Sequence, residues 1–163
     1  MKKIIIPILV FLFLVGCSAS KATPKSAVED MLKKYQSKDE KVMSQLSDVM
    51  NSDTIYTSDQ KKLYRNAIER QYTDLTYDIK DDEINGNNAI VTVEIEVYDY
   101  SNVNVSDVDS SDVEAYNTAK LNAMIDTKER IKYTLELSVT KNGDEWEVDN
   151  LTDIERKKIH GLY

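Results

Sequence analysis

Two hydrophobic periods divide this chain. From Pro24 to Leu75 the apolar residues recur every three or four positions, the spacing that places them on one face of a helix. From Tyr77 onward they alternate with polar residues, the spacing of a half-buried strand. Val28, Met31, Leu32 and Tyr35 predict a first helix ending near Ser37. Thr23-Pro24 suits its start as N-cap and first helical residue, and Ser26 with Glu29 offers a competing capping box. Val42, Leu46, Val49 and Met50 predict a second helix over 39–50. After a loop, Ser58 is expected to cap a third that carries Leu63, Tyr64, Ala67, Ile68 and Leu75.

The alternating half begins with Tyr77 and Ile79 in a strand running toward Ile84. Asn85-Gly86-Asn87-Asn88 predicts a tight turn, because such turns need a backbone conformation that glycine adopts without strain. Ala89, Val91, Val93, Ile95 and Val97 then face inward, against Thr92, Glu94, Glu96 and Tyr98 outward. Ile131, Tyr133, Leu135, Leu137 and Val139 repeat the pattern. A second turn at Lys141-Asn142-Gly143-Asp144 leads to a last strand with Trp146 and Val148 inward. Between the hairpins, 107–127 is polar and then helical in character, with Val113, Tyr116, Leu121 and Met124 as its apolar stripe. Thr152 with Glu155 predicts a short capped helix ending near Gly161. Helices first and hairpins after argue for an α+β fold, with N-terminal helices packed on a curved antiparallel sheet.

The first residues follow neither period. Lys2 and Lys3 precede an apolar stretch from Ile4 to Val15, and Leu14-Val15-Gly16-Cys17 follows. A charged start, a short apolar middle and small residues at the cut are the parts of a secretory signal. A spanning helix needs about 20 apolar residues, more than this stretch supplies, and Pro7 interrupts it. Leu14-Val15-Gly16-Cys17 resembles the lipobox of bacterial lipoproteins, in which the cysteine is acylated and the peptide is cut before it. That resemblance implies a signal peptide over 1–16, a lipidated Cys17 with a tether over 17–23, and one α+β domain over 24–163. It also implies a cell-membrane address on the extracytoplasmic face. Two acyl chains anchor stably where one binds only at about 10⁴ M⁻¹. Cys17 is the only cysteine, so a disulfide inside the domain is excluded.

Charge narrows the partners. The formal charge of −8 becomes −10 without Lys2 and Lys3. Nucleic-acid binders need a basic face to neutralise phosphates, so nucleic acid is not an expected partner. Anionic headgroups repel such a domain, leaving the lipid to hold it at the membrane.

The inventory of reactive groups argues against most catalysis. His160, the single histidine, stands three residues from the end and reads as a surface tail residue rather than a triad member. Past residue 16 only Gly86, Gly143 and Gly161 remain, too few for a phosphate-cradling loop. Zinc lacks its ligands, and no cofactor is implied. Asp107, Asp109 and Ser111 fall on the first, third and fifth positions of a calcium loop. Asp112 stands where glycine is needed and Thr118 where glutamate is needed, so no metal site is expected. Ser110 or Ser111 capping a helix, with Asp112 and Glu114 in its first turn, explains the same residues. Asp78, Asp81, Asp82 and Glu83 read as a solvated strand end. Asn104-x-Ser106 and Asn150-x-Thr152 match a glycosylation pattern by coincidence in a bacterial lipoprotein. Tyr98-Asp99-Tyr100 offers the candidate contact surface, Tyr98 and Tyr100, since tyrosine is enriched at recognition sites. Both equally suit cross-strand pairs on an exposed sheet face.

Three features together resemble the NTF2-like (cystatin-like) small lipoprotein domains of Gram-positive bacteria. They are the helical first half, the hairpin Ile84-Asn85-Gly86-Asn87-Asn88-Ala89-Ile90-Val91-Thr92-Val93, and Leu135-x-Leu137-x-Val139-x-Lys141-Asn142-Gly143-Asp144-x-Trp146-x-Val148. The resemblance covers about Pro24 to Leu151 and rests on turn and core positions. The 107–127 insertion departs from it and leaves the strand order open. Such folds include ketosteroid isomerases and dehydratases, which pair a buried carboxylate with tyrosines; Tyr35, Tyr64 or Tyr77 could serve so here. No family catalytic motif is present, and fold alone does not assign function. The expectation is a non-enzymatic module binding a protein, a peptide or a small hydrophobic ligand in the sheet's concavity or along its outer face. A cavity enzyme is the alternative, and an exclusion or immunity lipoprotein a third.

Overall fold

The computed structural model describes residues 22–163 except Asp107. Cys17, the expected signal segment and most of the expected tether therefore lie outside the described residues. Three helices come first: α1 (Pro24–Gln36), α2 (Glu40–Ser52) and α3 (Ser58–Asp74). The strands β1 (Thr76–Asn85) and β2 (Asn88–Tyr98) follow, then α4 (Val113–Asp126), β3 (Arg130–Asn142), β4 (Glu145–Val148) and α5 (Asp153–Ile159). The four strands form one antiparallel sheet in the order β1-β2-β3-β4, so the insertion carrying α4 leaves the meander intact. The fold is α+β, with the N-terminal helices on one face of a curved sheet.

Caps decide where the helices begin. Thr23 opens α1, accepting from the Ser26 amide at 3.1 Å while the Ser26 hydroxyl accepts from the Thr23 amide at 3.0 Å. The competing start at Ser26 is not used, and Glu29 pairs with Lys33 instead, at 2.6 Å. Thr57, one residue before the expected Ser58, caps α3 in a box with Gln60. Asp112, not Ser110 or Ser111, caps α4 by accepting from the Ala115 amide at 3.0 Å. Val113 is consequently the first helical residue and stays 61% exposed, outside the stripe expected of it.

Both turns are built around glycine. Asn85 pairs with Asn88 and Asn142 with Glu145, which makes Gly86-Asn87 and Gly143-Asp144 the turn centres. Gly86 and Gly143 have φ of +61° and +64°, whereas Asn87 and Asp144 have negative φ. Glycine thus sits at the first central position, one residue earlier than an Asn-Gly centre would place it.

The core lies between the sheet's concave face and the helices. Val91, Val93, Ile95 and Val97 of β2 and Leu135, Leu137 and Val139 of β3 are buried against Val28 and Leu32 of α1 and Ala67 and Ile68 of α3. These side chains fill the concavity. On β1 the register shifts between Ile79 and Asp81, so Ile79 opposes Val93 and Asp82 opposes Val91 on the same face. That bulge turns an acidic side chain toward the helices, where Asp82 meets the Lys25 ammonium at 3.3 Å.

A cleft between α1, α2, β4 and α5

One open space in this fold lies at the edge of the sheet. A cleft of about 900 Å³ is bounded by α1, α2, β4, α5 and the inner face of α3. The sheet contributes β4 alone, so the sheet's concavity is not the chamber expected of it. The volume falls in the range of small-molecule sites.

Its floor is aromatic. Tyr35 reaches in from α1, Tyr64 and Tyr72 from α3, Trp146 from β4 and His160 from the end of α5. The rings of Tyr35 and Tyr72 meet edge to face with centroids 5.0 Å apart. Tyr56 stacks on Tyr64 from outside at 5.9 Å. The Tyr72 hydroxyl and His160 Nε2 stand 2.8 Å apart. Burial pushes the imidazole down to about 4, assisted by the Arg156 charge. Burial also pushes the Tyr72 hydroxyl far above its usual range. At neutral pH both groups are therefore uncharged, and the imidazole tautomer sets which of them donates. His160 is accordingly no surface tail residue. Gly161 ends α5 in the left-handed conformation and folds the terminus back, with the Leu162 amide donating to Lys157 O at 2.8 Å.

Two hydroxyls in the cleft have no hydrogen-bond partner among the described residues. Tyr35 is about nine-tenths buried, yet neither its hydroxyl nor that of Tyr64 hydrogen-bonds to another residue. Among the described residues no sealed side-chain polar atom is left unpaired, so these hydroxyls open onto the cleft. Desolvation raises both, Tyr64 to about 12, and both remain neutral donors. The aliphatic wall comes from Val42 and Leu46 of α2 and Met31 of α1.

The carboxylates lie at the mouth. Asp30 pairs with Lys34 at 2.9 Å, and Asp153 with Arg156 at 2.6 Å. The one buried carboxylate among the described residues is Asp99, outside the cleft. It is occupied by its own turn, accepting from the Ser101 hydroxyl at 2.7 Å and the Asn102 amide at 3.2 Å. No tyrosine of the floor faces a buried acid, which is what the isomerase-type alternative requires.

The tyrosines expected to form a contact surface do other work. Tyr100 is fully buried and donates to Ala67 O at 2.8 Å, so it presents nothing to a partner. Tyr98 is half-buried, stacks on Tyr100 and donates to Asp74 at 2.7 Å. Its ring is flanked by the guanidinium groups of Arg70 at 3.6 Å and Arg130 at 4.8 Å. Burial removes Tyr100 from any surface, while Tyr98 stays half-exposed in a cross-strand pair with Arg130. Tyr77 lies on β1, away from the cleft. In the acidic run, Asp107 is outside the described residues. Asp109 accepts from the Ser111 amide at 2.9 Å, and no group of three metal-ligating side chains occurs among the described residues. No described helix is long and apolar enough to cross a membrane.

Of the cleft's aromatic residues, Tyr35, Tyr64 and Trp146 were legible as inward positions. Tyr72 was missed, although it stands four residues after Ile68 and eight after Tyr64 on one helical face. Compared with family models, with curated proteins and with solved structures, the chain matches none.

Proposed function

We propose that this protein is a lipid-anchored binding module of the extracytoplasmic face of a bacterial membrane, NTF2-like in plan, and that its cleft holds a small, largely apolar ligand. The cleft carries the reading: an open-mouthed aromatic and aliphatic surface with two hydroxyls that have no partner among the described residues, and no buried carboxylate or free nucleophile among those residues beside them. A few placed polar groups in an apolar pocket orient a ligand without chemistry. The Leu14-Val15-Gly16-Cys17 sequence supports the address.

Two experiments test this. Nile red, a neutral apolar dye, should bind saturably and one to one, and Met31→Trp, which fills the cleft from α1, should abolish the binding. Labelled palmitate should be incorporated into the chain, and Cys17→Ser should release it from membranes. Unsaturable dye binding would remove the ligand reading; firm membrane attachment of Cys17→Ser would remove the anchor.

A further inference from the structure

Charge is distributed unevenly between the cleft's floor and its mouth. The floor presents five rings, Tyr35, Tyr64, Tyr72, Trp146 and His160, none of them charged at neutral pH. At the mouth six carboxylates face four cations. Lys34 and Arg156 are already held by Asp30 and Asp153. What remains is Asp39, Asp48, Glu147 and Asp149 against Lys41 and Lys157, on a chain whose formal charge is −8.

An anionic head would enter through a negative mouth, and Arg156, the cation whose charge reaches Tyr35 and His160, is already paired with Asp153. A cation is drawn by the mouth and then meets tyrosine and tryptophan rings, whose π-systems attract it most when water is excluded. A quaternary ammonium head suits such a floor, because it is weakly hydrated and needs no hydrogen-bond acceptor. Its alkyl body would lie against Met31, Val42 and Leu46.

We propose that the ligand of this cleft is a soluble organic cation, a quaternary ammonium head on an apolar chain, held over the aromatic floor. This rests on the cleft being a ligand site, and the test separates the two. The full-length protein is titrated with decyltrimethylammonium, decanoate and decanol, each below its micelle concentration. Displacement of Nile red and the emission of Trp146, the single tryptophan, are followed. The cation should bind about tenfold tighter than the alcohol, with decanoate weakest. Its advantage should shrink as salt is raised. Tyr64→Leu should remove most of that advantage, and Tyr64→Phe, which keeps the ring face, should restore it. Equal binding of all three, or tighter binding of decanoate, overturns the cation while the cleft stands as a site. Failure of every probe, Nile red included, overturns both.

Discussion

The Tyr72 hydroxyl and His160 Nε2 meet at 2.8 Å across 88 residues of sequence, and this contact ties the C-terminal helix to the helical layer. Its rings also touch, with centroids 5.6 Å apart. The pair therefore serves two purposes at once: it closes the floor of the cleft and holds α5 in place.

A pH dependence follows from the direction of the His160 shift. An unfolded histidine titrates near 6.5, while burial holds this one near 4 in the folded chain. The proton prefers the unfolded state. The stability contributed by neutral His160 is therefore complete above about pH 6.5 and is lost as pH falls toward 4. The loss should run at roughly 1.4 kcal/mol per pH unit, roughly 3 kcal/mol in all. Urea denaturation of the wild type and of His160→Gln at pH 7, 5.5 and 4.5 measures it. The variant should show the shallower dependence, and parallel curves would contradict the assignment.

Glycine substitutions should separate backbone strain from collision. At Gly161, with φ of +69°, an added Cβ would collide with Tyr98 O and Gln71 Nε2. Gln71 is fully buried and clamps Tyr98 at both amide and carbonyl, so neither neighbour can withdraw. Gly161→Ala should cost about 3 kcal/mol or more. Gly86 has φ of +61° but nothing within 4 Å, so Gly86→Ala should cost only about 1 kcal/mol. Chemical denaturation distinguishes the two.

Lys38 offers the opposite case. It follows the end of α1 with φ of +54°, the one described residue other than glycine with positive φ. Its amide donates to Tyr35 O at 3.0 Å and that of Asp39 to Lys34 O at 2.9 Å, the closing pattern in which glycine is favoured. Its ion pair with Glu69 is long, at 3.9 Å, and exposed. Lys38→Gly should stabilise the protein by about 0.5–1 kcal/mol, read as a higher urea midpoint with unchanged slope.

Arg70 is a further anchor. Beyond stacking on Tyr98, it donates to Ile125 O at 2.8 Å and Thr127 O at 2.8 Å, carbonyls at the end of α4. Arg70→Ala should destabilise by about 2–3 kcal/mol. Arg70→Lys should recover little of that, because an ammonium cannot reproduce a planar fork. Amide exchange should show α4 loosening first.

Much of the fold can be read along the chain, because helix and strand periods and turn glycines are properties of neighbouring residues. The alternation through Val91 to Val97 and Leu135 to Val139 names the buried face of the sheet, and the structure buries those residues. The N-caps were harder: Thr57 and Ser58, or Ser111 and Asp112, carry equivalent side-chain oxygens, and only the path of the incoming loop chooses between them. On β1 the apolar residues change parity between Ile79 and Ile84, which records the bulge at Lys80. Ile84 nonetheless remains 57% exposed, since no helix extends over the hairpin tip.

Local pattern therefore established the α+β plan, the two glycine turns and the inward residues of the strands. Only three-dimensional packing made Tyr100 a buried strut rather than a surface, drew His160 inward, and opened a cleft where α1, α2, β4 and α5 converge. Periodicity arises from backbone geometry over a few residues. A cleft arises from distances between side chains tens of residues apart, set by how helices settle on a twisted sheet, and no short-range regularity encodes those distances.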